Sequence, residues 1–185
     1  MINTLGVLYQ EKLKTDLAKE LNLANLFSVP KLMKVTVNVG SAQFKTDKED
    51  IEKAKSWMSL ITGQSAKITK ARMSIAGFNV REGDTVGMQV TLRGERMYDF
   101  VQKLFNIVLP QIKDFQGVPL KGFDGHGNYT LGLSEQIIFP EVDYDKIGKI
   151  SGLSICFTTS AKDTKEAEAL LTALGMPFAK LDDKS

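Results

Sequence analysis

Three stretches of this chain alternate apolar residues with uncharged hydrogen-bonding ones, and that alternation narrows its fold more than any other feature. They are Lys34-Val35-Thr36-Val37-Asn38-Val39, Val86-Gly87-Met88-Gln89-Val90-Thr91-Leu92-Arg93 and Leu153-Ser154-Ile155-Cys156-Phe157-Thr158. Successive residues of a strand point to opposite faces, so each stretch presents one apolar and one polar face. An antiparallel sheet covered by helices on one side satisfies that pattern. The open side then carries Thr36, Asn38, Gln89, Thr91, Arg93, Ser154 and Thr158. Short neutral donors and acceptors suit a partner rich in hydroxyls and base edges, and folded RNA is such a partner.

The remaining segments complete an α+β order of helix, strand, helix, two strands, helix, two strands, helix. Leu5, Leu8 or Tyr9, Leu13, Leu17 and Leu21 recur at helical spacing, and Val29-Pro30 ends that run. Thr46 and Glu49 have capping-box spacing ahead of Ile51, Ala54, Trp57 or Met58, and Ile61; Gly63 offers a left-handed cap. Ser65–Ala71 reads as a strand with Ile68 inward and Lys67 and Thr69 outward. Met97, Val101, Leu104, Phe105 and Val108 share a third helical face that ends at Pro110. Asn128–Leu133 alternates with Tyr129, Leu131 and Leu133 on one side, and Glu135–Phe139 extends it. A last strand, Gly152–Ser160, precedes a helix from Asp163 to Leu174 capped by Gly175. The expected architecture is one sheet of about five strands with a single helical layer. It forms one domain over residues 1–180; the chain loosens from Met176 into a frayed tail at 181–185.

Composition excludes several function classes. The apolar runs of this 185-residue chain fall short of the roughly 20 residues a membrane helix needs. Residues 1–13 lack a basic, cleavable leader pattern, and Cys156 is the sole cysteine, which fits a reducing cytosol without disulfides. His126 is the sole histidine, so a metal site with two or more His ligands is excluded; it reads as an exposed turn residue or an RNA-backbone contact. Glu141, Asp143 and Asp145 lack EF-hand spacing and read as a solvated acidic loop or a docking patch for a basic protein. The glycines at 122, 125, 127 and 132 match neither a phosphate loop nor a dinucleotide fingerprint and are assigned to turns. No cofactor or metal is expected.

The net charge of +2 conceals a gradient: residues 1–66 carry +2, residues 67–134 carry +3 and residues 135–185 carry −3. Lys67–Arg81 holds four basic residues and no acid. From Arg72 to Arg81 the chain reads as a basic-ended loop with a hinge at Gly77. Either Ile75 and Phe78 project from it for apolar contact with nucleic acid, or Phe78 folds back onto the sheet.

Ile61-Thr-Gly-Gln64, Thr69-Lys-Ala71, Ser74-Ile-Ala-Gly-Phe78, Val90-Thr-Leu-Arg-Gly94, Met97-Tyr98, Asp114-Phe115, Phe123-Asp-Gly125, Gly127-Asn-Tyr129 and Glu135-Gln-Ile-Ile-Phe-Pro-Glu141 stand in the order found in one family. From Leu5 to Phe178 the chain resembles bacterial ribosomal large-subunit protein five. The resemblance implies a cytoplasmic, ribosomal, non-enzymatic protein that binds 5S rRNA in the central protuberance and is monomeric when free. Its other implied partners are large-subunit rRNA and neighbouring ribosomal proteins, with no membrane partner. By position, Asn38, Gln64 and Thr91 are the implied polar contacts to 5S rRNA; the strand alternation and charge pattern add Thr36, Thr69 and Gln89 beside them and Lys67, Lys70, Arg72 and Arg93 on phosphates. The segment Ser74, Ile75, Ala76, Gly77, Phe78, Asn79, Val80, Arg81 corresponds to a loop toward peptidyl-site tRNA. Gln111, Lys113, Asp114, Glu141, Asp143 and Asp145 fall in the regions of a bridge to a small-subunit head protein. The family usually has more arginine where this chain has Gln111, Lys113, Gln116 and His126, and often lysine at Asn79. Two alternatives remain: a protein-docking module centred on the acidic C-terminal third, and a small phosphoryl or acyl enzyme, for which base, nucleophile pair and phosphate loop are missing.

Overall fold

The computed structural model describes residues 5–40, 48–113, 115–143 and 150–179. Its strands are β1 (Leu32–Gly40), β2 (Lys67–Lys70), β3 (Thr85–Leu92), β4 (Tyr129–Leu133) and β5 (Leu153–Thr159). They form one five-stranded sheet in the order β2-β3-β1-β5-β4. The helices are α1 (Leu5–Leu8) and α2 (Lys14–Glu20), joined by a π-turn at Tyr9–Leu13, then α3 (Lys48–Thr62), α4 (Glu95–Lys103) and α5 (Thr164–Ala173). The α+β class and the order of elements are those expected. Among the described residues no helix is long and apolar enough to cross a membrane.

The contacts cluster into two compact units. One comprises residues 1–35, 93–131 and 156–185. Here Leu5, Tyr9 and Leu17 from the first helical segment are buried, as are Met97, Phe100, Val101, Leu104, Phe105 and Val108. Phe105 lies 5.8 Å from Phe157 of β5, which lies 6.3 Å from Tyr129 of β4. α4 runs on through a π-turn at Leu104–Val108, and Pro110 sits in the 3-10 turn that follows. Asp163 caps α5 by accepting from Glu166 N at 2.9 Å, and Gly175, at φ +97°, ends the helical run.

The other unit comprises residues 36–92 and 132–155. Ala54, Trp57, Met58 and Ile61 of α3 are buried together with Val37, Val39, Met88, Val90 and Leu92. Gly63, at φ +65°, donates to Ser59 O at 2.8 Å and closes α3 as its position foretells. β2 pairs antiparallel with β3, Lys67 facing Gln89, Ile68 facing Met88 and Thr69 facing Gly87. The register then slips between Thr69 and Lys70, so Lys70 faces Thr85.

Three sequence expectations are corrected. Glu135–Phe139 does not extend β4: Gln136–Ile138 form a 3-10 turn, because Gln136 is fully buried and its Oε1 accepts Ser151 N at 2.6 Å. Met176–Ala179 is not frayed; Val118 N donates to Pro177 O at 2.8 Å and Ala179 N to Val118 O at 3.0 Å. Turn geometry accounts for Gly125 and Gly127, both at positive φ, but Gly122 serves packing, since a Cβ there would meet the Tyr129 ring at 2.7 Å. Gly132 has neither a positive φ nor a neighbour within 4 Å of a Cβ. In the loop from Arg72 to Arg81 the residue at positive φ is Asn79. Thr46 of the capping box and residues 181–185 lie outside the described residues.

Candidate nucleic-acid interface

Alternation in β1 and β3 separates the unit's core from its polar face residue by residue. Val35, Val37, Val39, Met88, Val90 and Leu92 are buried, whereas Thr36, Asn38, Gln89 and Thr91 between them are only half-buried. Those four are not sealed to the level of the core, so their hydroxyl and amide groups stay within a ligand's reach. Facing residues of an antiparallel pair share a side, so Lys67 joins Gln89, and Thr69 joins Gly87. Gly87 has a second function on that face. A Cβ there would lie 2.6 Å from Val39 O and 3.3 Å from Thr69 Oγ1, so glycine permits the close approach of β1.

Gln64 reaches β3 from beyond α3. Thr62 Oγ1 donates to Met58 O at 2.7 Å and Gln64 O at 3.0 Å, which fixes the chain as it leaves the helix. Gln64 Nε2 then donates to Thr91 O at 3.4 Å. The structure therefore brings Gln64 to Thr91, although 27 residues separate them in sequence. Ser154 Oγ lies 3.5 Å from Asn38 O, at the limit of a hydrogen bond.

The cations differ in placement. Lys67 and Arg72 are exposed, and so is Arg93, the residue after β3. Lys70 is exposed too, but it has the strand parity of inward-facing Ile68 and sits at the register slip. By alternation it does not belong to the row of Lys67 and Thr69.

Between β2 and β3 the chain forms a braced finger. Ala71 N donates to Asp84 O at 2.8 Å, and Gly83 N to Ala71 O at 3.0 Å. Asp84 Oδ2 accepts Arg81 N at 2.7 Å, and Ser74 Oγ accepts Glu82 N at 3.0 Å. Near the tip Ile75 and Val80 exchange backbone bonds of 2.8 and 3.2 Å around a 3-10 turn at Ala76–Phe78. Asn79 leaves that turn at φ +50°, a left-handed conformation that asparagine tolerates better than most residues. Phe78 is 70% exposed and Ile75 45%, so the apolar tip projects and Phe78 does not fold back onto the sheet.

Gln111 and Lys113 are exposed in one unit, Glu141 and Asp143 in the other; Asp114 and Asp145 lie outside the described residues. His126 is exposed, and its N–H donates to Asp124 at 2.8 Å. Asp124 also accepts from Asn128 N and Nδ2, and the Asn128 side chain foremost holds its carboxyl below the usual carboxylate range. Cys156 Sγ accepts the Thr130 hydroxyl at 3.5 Å. Among the described residues no group of three or more His, Cys, Asp and Glu could hold a metal ion.

Two features escaped the sequence reading. Gln136 as a buried latch has no one-dimensional signature, since its partner Ser151 is 15 residues away. Phe27, 92% exposed, lies between helix and strand in a segment without regular periodicity. Its signal was an aromatic residue out of phase with the helix before it.

A family model described as ribosomal protein L5 matches residues 25–81, and one described as the ribosomal L5P family C-terminus matches residues 85–178. Large ribosomal subunit protein uL5 of Limosilactobacillus reuteri (strain DSM 20016) is 47% identical over 180 residues, 97% of this chain and 100% of that protein. The uL5 of Geotalea daltonii is 50% identical over 174 residues, 94% of this chain and 97% of that protein. The uL5c of Gracilaria tenuistipitata var. liui is 49% identical over 178 residues, with 96% and 99% covered. A polar sheet face, a braced basic finger and likeness along nearly the whole chain lead to one conclusion: this chain belongs to the ribosomal protein L5 family, the uL5 proteins of the large ribosomal subunit.

Proposed function

We propose that the polar face of β1, β2 and β3 grips 5S rRNA and helps hold it in the central protuberance of the large subunit. The chain is a structural, non-enzymatic constituent of that subunit, and it works in the ribosome, in the cytoplasm. One observation carries the finer reading: Asn38 of β1 and Thr91 of β3 are half-buried between core residues on their strands, and the side chain of Gln64 is tethered to Thr91 O. Amide and hydroxyl groups of this kind read 2′-hydroxyls and minor-groove edges, which lysines alone do not distinguish. Thr36, Thr69 and Gln89 widen the face, and Lys67, Arg72 and Arg93, with Lys70 from the neighbouring bulge, supply phosphate contacts.

The finger from Ser74 to Arg81 contacts peptidyl-site tRNA, with Ile75 and Phe78 making apolar contact. Gln111, Lys113 and Asp114, together with Glu141, Asp143 and Asp145, supply the bridge to a small-subunit head protein. Net negative charge in the C-terminal third suits a basic partner there.

Binding to 5S rRNA and to tRNA across a salt series tests the central claim. Asn38→Ala and Thr91→Ala should each weaken 5S rRNA binding by about 1 kcal/mol or more, roughly fivefold. Equal wild-type affinity for both RNAs, or no loss in either variant, would remove the sheet face from the mechanism.

A further inference from the structure

The loop between α2 and β1 exposes an aromatic ring on a braced support. Leu23 N donates to Ala18 O at 2.8 Å where the helix ends. Asn25 then forms a local turn: its Oδ1 accepts Phe27 N at 2.8 Å and its carbonyl accepts Ser28 N at 3.0 Å. Farther on, Tyr9 Oη donates to Pro30 O at 2.8 Å in a buried hydrogen bond. The ring held between these anchors is 92% exposed, and neighbouring Leu26 is 48% exposed. Folding has fixed the backbone here without burying its largest apolar side chain.

The surroundings identify a class of ligand. Lys14 Nζ lies 5.2 Å from the Phe27 ring centroid, close enough for a cation–π contact. Phe27 and Lys14 line a cleft of about 360 Å³ together with Lys31, Gln10 and Tyr9, and no carboxylate lines it. A flat π surface, two ammonium groups and one amide match a nucleobase with its flanking phosphates. A paired base has its faces covered by its neighbours in the stack, whereas an unpaired base offers one.

We propose that Phe27 is a stacking platform for an unpaired RNA base, with Lys14 and Lys31 on the adjoining phosphates and Gln10 at the base edge. This contact rests on the reading of the chain as an RNA-binding protein, but not on the sheet face.

The probes are hexaadenylate and an abasic ribose-phosphate hexamer of equal charge, at low salt. Phe27→Trp places an indole at the platform; the native Trp57 is buried, and wild-type protein measured in parallel supplies its background. Hexaadenylate should quench the new emission saturably, and the abasic hexamer should leave it nearly unchanged. Phe27→Ala should weaken hexaadenylate binding about tenfold, and Leu60→Ala, at an exposed apolar side chain of α3, should leave it unaltered. Equal quenching by both oligomers, or undiminished binding by Phe27→Ala, would overturn the proposal. Loss of hexaadenylate binding in Phe27→Ala, with 5S rRNA binding indifferent to Asn38→Ala and Thr91→Ala, would sustain the platform and reject the sheet. The reverse pattern would reject the platform alone.

Discussion

Two tyrosine hydroxyls tie helix or strand to a proline carbonyl. Tyr9 Oη donates to Pro30 O at 2.8 Å, and Tyr129 Oη to Pro119 O at 2.7 Å. Burial pushes each phenol up to about 12, and for Tyr9 the neighbouring Tyr98 adds to the rise. An unfolded tyrosine ionises near 10. Between about pH 10 and 12 the native state therefore holds more protons than the unfolded state, and stability falls as pH rises through that window. Urea midpoints at pH 9, 10.5 and 11.5 should decline. Tyr9→Phe should flatten the decline while lowering stability at neutral pH by about 1 kcal/mol, because the Pro30 carbonyl loses its donor. An unchanged pH profile in that variant would show that Tyr9 does not carry the effect.

At the level of elements, the polar sheet face depends on how closely β1 approaches β3. Gly87→Ala places a methyl group against the Val39 carbonyl, so the strands must separate or twist. The expected cost is about 1–3 kcal/mol by urea denaturation. The same variant should weaken 5S rRNA binding, since Asn38 and Thr91 lie on the strands being displaced. A stable variant with native affinity would show that the sheet absorbs the methyl group. The turn after β4 is held differently. Gln136→Leu keeps bulk but leaves the buried Ser151 N–H without its acceptor, an expected loss of about 1–3 kcal/mol. Recovery in a Gln136→Glu variant above neutral pH would confirm that the acceptor oxygen, rather than side-chain volume, is what the turn requires.

For the whole molecule, the proposed 5S rRNA contact divides in two: charge sets affinity and neutral groups set selectivity. The chain carries only +2 overall, and its C-terminal third is negative. Fewer cations displace fewer counterions, so log affinity for 5S rRNA should fall less steeply with log salt than for a uL5 relative richer in arginine. A slope as steep as that relative's would mean that more cations engage the RNA than the polar-face reading allows.

Strand and helix identity followed from the sequence because both rest on local periodicity. Alternating Val and Thr or Asn in β1, and Met97, Val101, Leu104, Phe105 and Val108 around α4 and the turn after it, each record one buried face. Periodicity alone also separated Asn38 and Thr91 from the buried side of their strands, while Gln64 stood out only through family resemblance. Tertiary structure decided what no local rule contains: the hydrogen bond from Gln64 to Thr91, the register slip that sets Lys70 opposite Thr85, the Gln136 latch and the exposed Phe27 ring. Each depends on the meeting of residues far apart in sequence or on burial withheld from a side chain that would ordinarily receive it. Packing in three dimensions sets both, and residue spacing does not record them.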